Sequence, residues 1–514
     1  MRGGAILATT LLAGLLLAPA APASAEATAA ELVTQADAVP TPTLDWTPCT
    51  EPGLGRYQCA TVEVPLDYAK PQGTKQSLAL LRQPATESAR RIGTLFTAVG
   101  GPGASGIDAV RDNGFATELA RRFDMVTFDQ RGIGRSGQVR CFADSTAQQQ
   151  FWADYAPPPT NARQEAEVEQ ASRVLAEGCA THSGELLPHL TTVDAARDLD
   201  LLRRAVGDEK LTYMGGSYAS YLGQVYGTLF GDRVRALHLG SVIEPDAYTE
   251  DSLTHLAEQA MGTEQAFNEF ARLCAEAGSA RCAFAEGDVR ARHVALFDRL
   301  RGEPLTIGSG ERALTVTYTD VITAEVFLLY DAREGWPVLG TLLAELDRGT
   351  SGDPDVVRGI IDATPVSPEF LESFIAISCA DNAFPNSPHL WPYLARAIEP
   401  AAATFGAYWL YPQQACGAWP APPDGYPQRF TGPWTHRTET PALLLNTRFD
   451  PATPLSMAER AQRTIGNARL VTIDGYGHTT NNTCAHRLRD TYLIDLNLPE
   501  PATVCPADTA PFVK

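Results

Sequence analysis

Three side chains, far apart along this sequence, sit in settings that suit attack on an acyl carbon. Ser217 lies in Gly215-Gly216-Ser217-Tyr218-Ala219, between a predicted strand at 211–214 and a predicted helix at 221–230. A strand that turns sharply into a helix exposes the serine Oγ only if the residues two positions to either side are small, and Gly215 and Ala219 are small. Asp450 follows a predicted strand at 443–446, in Asn446-Thr-Arg-Phe-Asp450-Pro-Ala-Thr-Pro454, and His478 follows another at 470–473, in Gly475-Tyr-Gly-His478. Both stand beyond the carboxyl ends of strands, where open α/β sheets hold their ligands. In such a triad His478 takes the Ser217 proton and later gives it to the leaving group, while Asp450 fixes the imidazole tautomer and stabilises its charged form. Each residue alone has an ordinary structural reading, and Asp246 is the alternative acid. His189, His238, His436 and His486 lack a glycine-bounded loop after a strand.

Acyl transfer also builds negative charge on the carbonyl oxygen, and backbone N–H groups must face it. Gly100-Gly101-Pro102-Gly103-Ala104-Ser105-Gly106 follows a predicted strand at 93–99, and glycines let a backbone approach closely. The N–H groups of Gly101 and Tyr218 are the expected pair of oxyanion donors. A phosphate-binding loop is disfavoured, because neither G-x-x-x-x-G-K-[ST] nor G-x-G-x-x-G is present. The turn Asp129-Gln-Arg-Gly-Ile-Gly-Arg-Ser136-Gly137 reads as a structural loop near the site, with Arg131 bracing other loops.

The elements that must position these residues alternate. Apolar strand-like runs at 93–99, 123–128, 211–214 and 234–242 are separated by helical patterns at 193–206 and 221–230. That rhythm indicates a buried, mostly parallel sheet. It breaks at 245–433, which is largely helical in pattern, as at 253–273 and 289–300, and ends in a proline-rich stretch. It resumes at 442–446, 456–464 and 469–473. The expected layout is an α/β core at 44–244 and 434–514 with a mainly helical cap at 245–433 inserted between. The chain order Ser, Asp, His is that of α/β-hydrolases.

Composition sets the boundaries. The 514 residues carry 41 Lys and Arg against 61 Asp and Glu, a net charge of −20, which argues against nucleic acid or an anionic membrane as partner. Arg2, an apolar run at 5–17 and Ala23-Ser24-Ala25 read as an export signal over 1–25. The run is short for a membrane anchor, and Pro19 and Pro22 follow it. Residues 26–43 are small, polar and acidic and read as a leader or pro-segment rather than core. Cys49, Cys59, Cys141, Cys179, Cys274, Cys282, Cys379, Cys416, Cys484 and Cys505 all follow the signal. An even number in an exported chain reads as disulfides, here paired in chain order because short loops close most readily. No Cys/His ligand cluster points to a metal, and no organic cofactor is implied.

Together these residues resemble the secreted tripeptidyl aminopeptidases of actinobacteria and the related prolyl aminopeptidases. The resemblance rests on Gly-Gly-Pro-Gly-Ala-Ser-Gly at 100–106, Asp-Gln-Arg-Gly-Ile-Gly-Arg-Ser at 129–136, Gly-Gly-Ser-Tyr at 215–218, Asp-Pro-Ala-Thr-Pro at 450–454 and Gly-Tyr-Gly-His at 475–478. Leu44-Asp-Trp-Thr-Pro-Cys49 resembles that family's mature start. Ala98-Val99 and Ala219 depart from its usual pattern. The resemblance implies an α/β-hydrolase core, a helical cap, an extracellular location, and release of short peptides from substrates with free N-termini. Such an enzyme must bind an α-ammonium, for which a carboxylate near the cap is suited; Glu244 and Asp381 are the candidates. The competing reading is an esterase or amidase using the same triad on small substrates, because fold and nucleophile are shared by many chemistries. Ser217 at the elbow argues against dehalogenases and epoxide hydrolases, which place Asp there.

Overall fold

A computed structural model of the chain describes residues 27–364, 366–423, 425–478, 480–508 and 510–513. The export signal read at 1–25 lies outside the described residues. Ten strands join one sheet in the order β1-β2-β3-β5-β4-β6-β7-β10-β11-β12. They are β1 Thr47–Pro48, β2 Gln58–Pro65, β3 Lys75–Gln83, β4 Gly93–Ala98, β5 Phe123–Phe128, β6 Leu211–Ser217, β7 Val234–Val242, β10 Ala442–Phe449, β11 Ala468–Tyr476 and β12 Val504–Pro506. A separate hairpin joins β8 Leu305–Ile307 and β9 Leu314–Val316. From β5 to β12 every pairing is parallel, while β1, β2 and β3 form an antiparallel edge.

The central strands are apolar on both sides because both faces are covered. On one face Phe96, Tyr213, Leu237 and Leu239 pack with the helices Thr192–Ala205 and Tyr218–Leu229. On the other, Leu95, Met125, Ala236, Leu443 and Val471 pack with the helices Thr117–Arg122 and Thr483–Asp495. The stretch between 245 and 433 is mainly helical and has its own buried cluster, in which Phe267, Phe270, Trp336, Leu339 and Leu343 meet. This is an α/β-hydrolase fold with a mostly parallel sheet.

Part of the segment read as a leader or pro-segment at 26–43 packs on the core. The helix Ala29–Asp37 opens with a reciprocal cap between Thr28 and Glu31 and buries Leu32 and Ala36 in the main core. Arg204 donates to the carbonyls of Ala36 and Val39, and Arg233 pairs with Asp37. Two apolar residues four apart make a buried stripe even in a short acidic segment. All ten cysteines are paired, and in chain order: 49–59, 141–179, 274–282, 379–416 and 484–505. Among the described residues no helix is long and apolar enough to cross a membrane.

Candidate active site

β6 ends at Ser217, and the helix Tyr218–Leu229 begins at the next residue. Ser217 therefore sits at φ 58°, ψ −131°, a strained backbone that turns its side chain off the sheet. The small neighbours are required by contact. A Cβ on Gly215 would lie 2.5 Å from the Tyr213 hydroxyl, and one on Gly100 would lie 2.6 Å from Ser217 Cβ. The methyl of Ala219 is accommodated: the residue is fully buried and its carbonyl accepts the Tyr213 hydroxyl at 2.8 Å.

Asp450 is buried in the loop after β10. Its Oδ1 accepts the N–H groups of Ala452 at 2.9 Å and Thr453 at 2.8 Å, and its Oδ2 accepts the Thr453 hydroxyl at 3.0 Å. The loop is tied back by Asn446, whose amide donates to the Thr453 carbonyl and accepts the Val242 N–H. From above, the helix Ser252–Ala277 clasps it: Thr263 donates to the Pro451 carbonyl at 2.6 Å and Gln259 to that of Ala452 at 3.2 Å.

His478 Nδ1 lies 2.8 Å from Asp450 Oδ1. A carboxylate there holds the proton on Nδ1 and leaves Nε2 free to take one. The His478 backbone N–H donates to the Tyr330 carbonyl at 2.8 Å, and the Tyr330 ring lies 4.8 Å from the imidazole. Tyr330 follows the cap helix Tyr318–Leu329, so the cap holds the base. Asp246, the alternative acid, is exposed on the helix Pro245–Glu250.

Ser217, His478, Gly100 and Gly101 line one cavity of about 700 Å³. Gly101 and Gly103 take φ of 116° and 115°, which only glycine adopts readily. The loop they belong to is anchored where the Ser105 hydroxyl donates to Asp129 at 2.6 Å, and Asp129 also accepts the N–H groups of Ile107 and Arg135. Burial pushes the Asp129 carboxyl above its usual range, and those donors act against it. Tyr218 is the first residue of its helix, so its N–H has no partner within the helix. Arg131 is the brace expected of it: buried, it grips both oxygens of Asp198 and donates to the carbonyls of Pro65, Leu66 and His189.

A smaller lobe of about 60 Å³ also borders Ser217, among residues of the cap. Tyr248, His255, Gln259, Asn382 and Gln413 line it, and none of its lining residues is charged by type except His255. Burial pushes His255 down to about 3, so it is neutral. No sequence pattern singles out these residues, which come from separate cap segments.

Glu244 and Asp381 are close to this lobe along the chain but do not line it. Glu244 caps the helix Pro245–Glu250 through the Ala247 N–H at 2.8 Å and also accepts the Thr464 hydroxyl. Asp381 accepts the N–H and hydroxyl of Thr192 at 2.7 and 2.6 Å. Their chain neighbours Ile243 and Asn382 line the lobe, while both carboxyls are buried and engaged by the protein's own donors.

Residues 99–281 match the family model described as alpha/beta hydrolase fold, and residues 400–505 the one described as TAP-like protein. The chain is 32% identical to carboxylesterase B of Mycobacterium tuberculosis, with 96% of each chain covered. It is 30% identical to serine protease Hip1 of the same organism, over 90% of this chain and 91% of that one. It is 29% identical to a tripeptidyl aminopeptidase of Streptomyces lividans, over 96% and 94%. Likeness at this level along nearly the whole of both chains means common descent, and the protein belongs to the tripeptidyl aminopeptidase-like family of α/β-hydrolases and is a serine hydrolase.

Proposed function

We propose that the protein is an exported serine exopeptidase that releases di- or tripeptides from free N-termini, with Ser217, His478 and Asp450 as its triad. The observation that supports this reading is the cavity of about 700 Å³ that Ser217 and His478 line, which has room for a short peptide segment, in a chain similar to a tripeptidyl aminopeptidase over nearly its whole length. The five disulfides support an extracellular location, where they persist.

The chemistry in this reading is that of an acyl-enzyme. Ser217 Oγ attacks the scissile carbonyl carbon as His478 Nε2 removes its proton, and Asp450 supports the imidazolium. The N–H groups of Gly101 and Tyr218 receive the oxyanion. When the tetrahedral adduct collapses, the C–N bond breaks and His478 protonates the departing amine. Water repeats the sequence on the acyl-enzyme and frees Ser217. In this reading the substrate ammonium meets neutral acceptors of the lobe, such as Gln259, Asn382 and Gln413.

The second reading, an esterase or amidase for small substrates, draws on the lobe's lack of a carboxylate and on the carboxylesterase relative. Matched chromogenic peptides with free and acetylated N-termini, beside a simple aryl ester, separate the two. The exopeptidase reading expects a preference for free peptides of at least tenfold in kcat/KM, and mass spectrometry should find intact di- or tripeptides. Equal turnover of blocked peptides, or turnover of the ester alone, overturns it. Ser217→Ala should abolish both activity and fluorophosphonate labelling.

A further inference from the structure

The hydrogen bonds of Asp381 lead away from the lobe and toward the elbow. Its Oδ2 accepts the Thr192 hydroxyl at 2.6 Å, and Thr192 Oγ1 lies 2.5 Å from the Tyr218 hydroxyl. With Asp381 ionised the Thr192 proton points to the carboxylate, and the phenol is then the donor to Thr192. The three groups form one chain, all of it buried, and consecutive bonds of this kind strengthen each other. Its last member, Tyr218, follows Ser217 as the first residue of its helix, and its backbone N–H is the proposed oxyanion donor.

Asp381 ends the cap helix Pro368–Asp381, and the other half of that helix touches the other donor loop. A Cβ on Gly103 would lie 2.7 Å from the Phe370 carbonyl oxygen and 3.0 Å from the Phe374 nitrogen, so the helix backbone rests directly on the glycine loop. Ser373 donates to the Gly132 carbonyl at 2.7 Å, in the turn whose Asp129 anchors the same loop. The end near Asp381 is fixed by Arg429, which donates to the Ala380 carbonyl at 2.7 Å, and by the disulfide from Cys379 to Cys416.

We propose that the helix Pro368–Asp381 is the brace of the oxyanion hole, with Asp381 and Thr192 as positioning residues that aim the Tyr218 N–H. Donors in such a site act because they are held where the charge will appear, and a small misplacement forfeits much of their effect. Loss of the chain therefore weakens transition-state binding and leaves substrate binding nearly untouched. The role holds for any acyl substrate, so it stands or falls separately from the exopeptidase reading.

The test uses the full-length protein with kcat normalised to sites titrated by a fluorophosphonate, on an aryl ester and on a peptide chromogen. Thr192→Val and Tyr218→Phe should each lower kcat about tenfold with KM within twofold of wild type. The double variant should fall no further than either single one, because both break the same chain. Thr192→Ser, which keeps the hydroxyl, should restore kcat. An unchanged kcat per titrated site in Thr192→Val, multiplying losses in the double variant, a rise confined to KM, or failure of serine to rescue would each overturn the proposal. If Thr192→Val does not fold, Tyr218→Phe, which removes one oxygen, carries the same comparison.

Discussion

Ser217 is reactive in position because its neighbours give way to it. Gly100 belongs to a different loop, yet the space for its absent side chain is already filled by the Ser217 Cβ and Oγ. Gly100→Ala should therefore lower kcat on every substrate, by about a hundredfold or more, since an ångström of displacement at a reacting atom costs that much. Steady-state kinetics beside a melting curve checks this, and wild-type turnover in a folded variant would show that the loop can yield. At this scale the sequence was informative about Ser217, Asp450 and His478, whose types, order and glycine-bounded turns are local features. It was uninformative about Asp381, because an acid's type does not name its partner. Glu244 was partly legible: an acceptor side chain followed by Pro245 at the first helical position is a cap pattern.

The segments carrying the acid and the base are each held by a cap element. Thr263 connects three parts: it donates to the Pro451 carbonyl and accepts from the Trp409 indole at 2.8 Å. Thr263→Val keeps the shape and removes both bonds, so it should cost about 1–3 kcal/mol of stability. It should also lower kcat several-fold as the Asp450 loop loosens. Urea unfolding and kinetics on the same preparation measure the two effects, and unchanged kcat with lowered stability would make the contact structural only. The strands and helices nearest the site followed from apolar runs and helical spacing, since β4, β5, β6 and β7 are buried continuously enough to stand out. The antiparallel edge did not enter the sequence reading. β2 carries a usable alternation, Val62 and Val64 inward against Thr61 and Glu63 outward. β3 buries Leu78 to Leu81 in succession, a short run that does not distinguish a strand from a helix. Nothing in the sequence announced the bond from His478 to Tyr330, which joins segments brought together only by the tertiary fold.

For the molecule as a whole, buried titratable groups set the response to pH. Burial pushes His238 well down, His255 to about 3 and His436 to about 4. The unfolded chain protonates all three near 6.5 while the folded one does not, so each contributes stability that is lost as pH falls from about 6.5 toward its folded value. Each adds a slope of about 1.4 kcal/mol per pH unit. Asp381 acts oppositely: burial raises its carboxyl to about 7, against the Thr192 donors and Arg429 and with the Asp194 charge nearby, beside the phenols of Tyr218, Tyr221 and Tyr248. The folded state then holds a proton that the unfolded one has released, and stability falls as pH rises from about 4 to 7. Urea midpoints between pH 5 and 6.5 should show Asp381→Asn losing stability on acidification more steeply than wild type, because it removes one of several opposing carboxyls, Asp129, Asp198 and Glu372 being others. Equal slopes in the two proteins would mean that the Asp381 carboxyl is not raised.

The His478 main chain is bonded to the residue that ends a cap helix, and the Asp450 turn is held by another. A cap that swung upward as a door would tear the base from the acid and disable the machinery at each opening. Traffic must therefore run sideways, along the open flank beside Ser217, and the cap is better pictured as a keystone than as a lid.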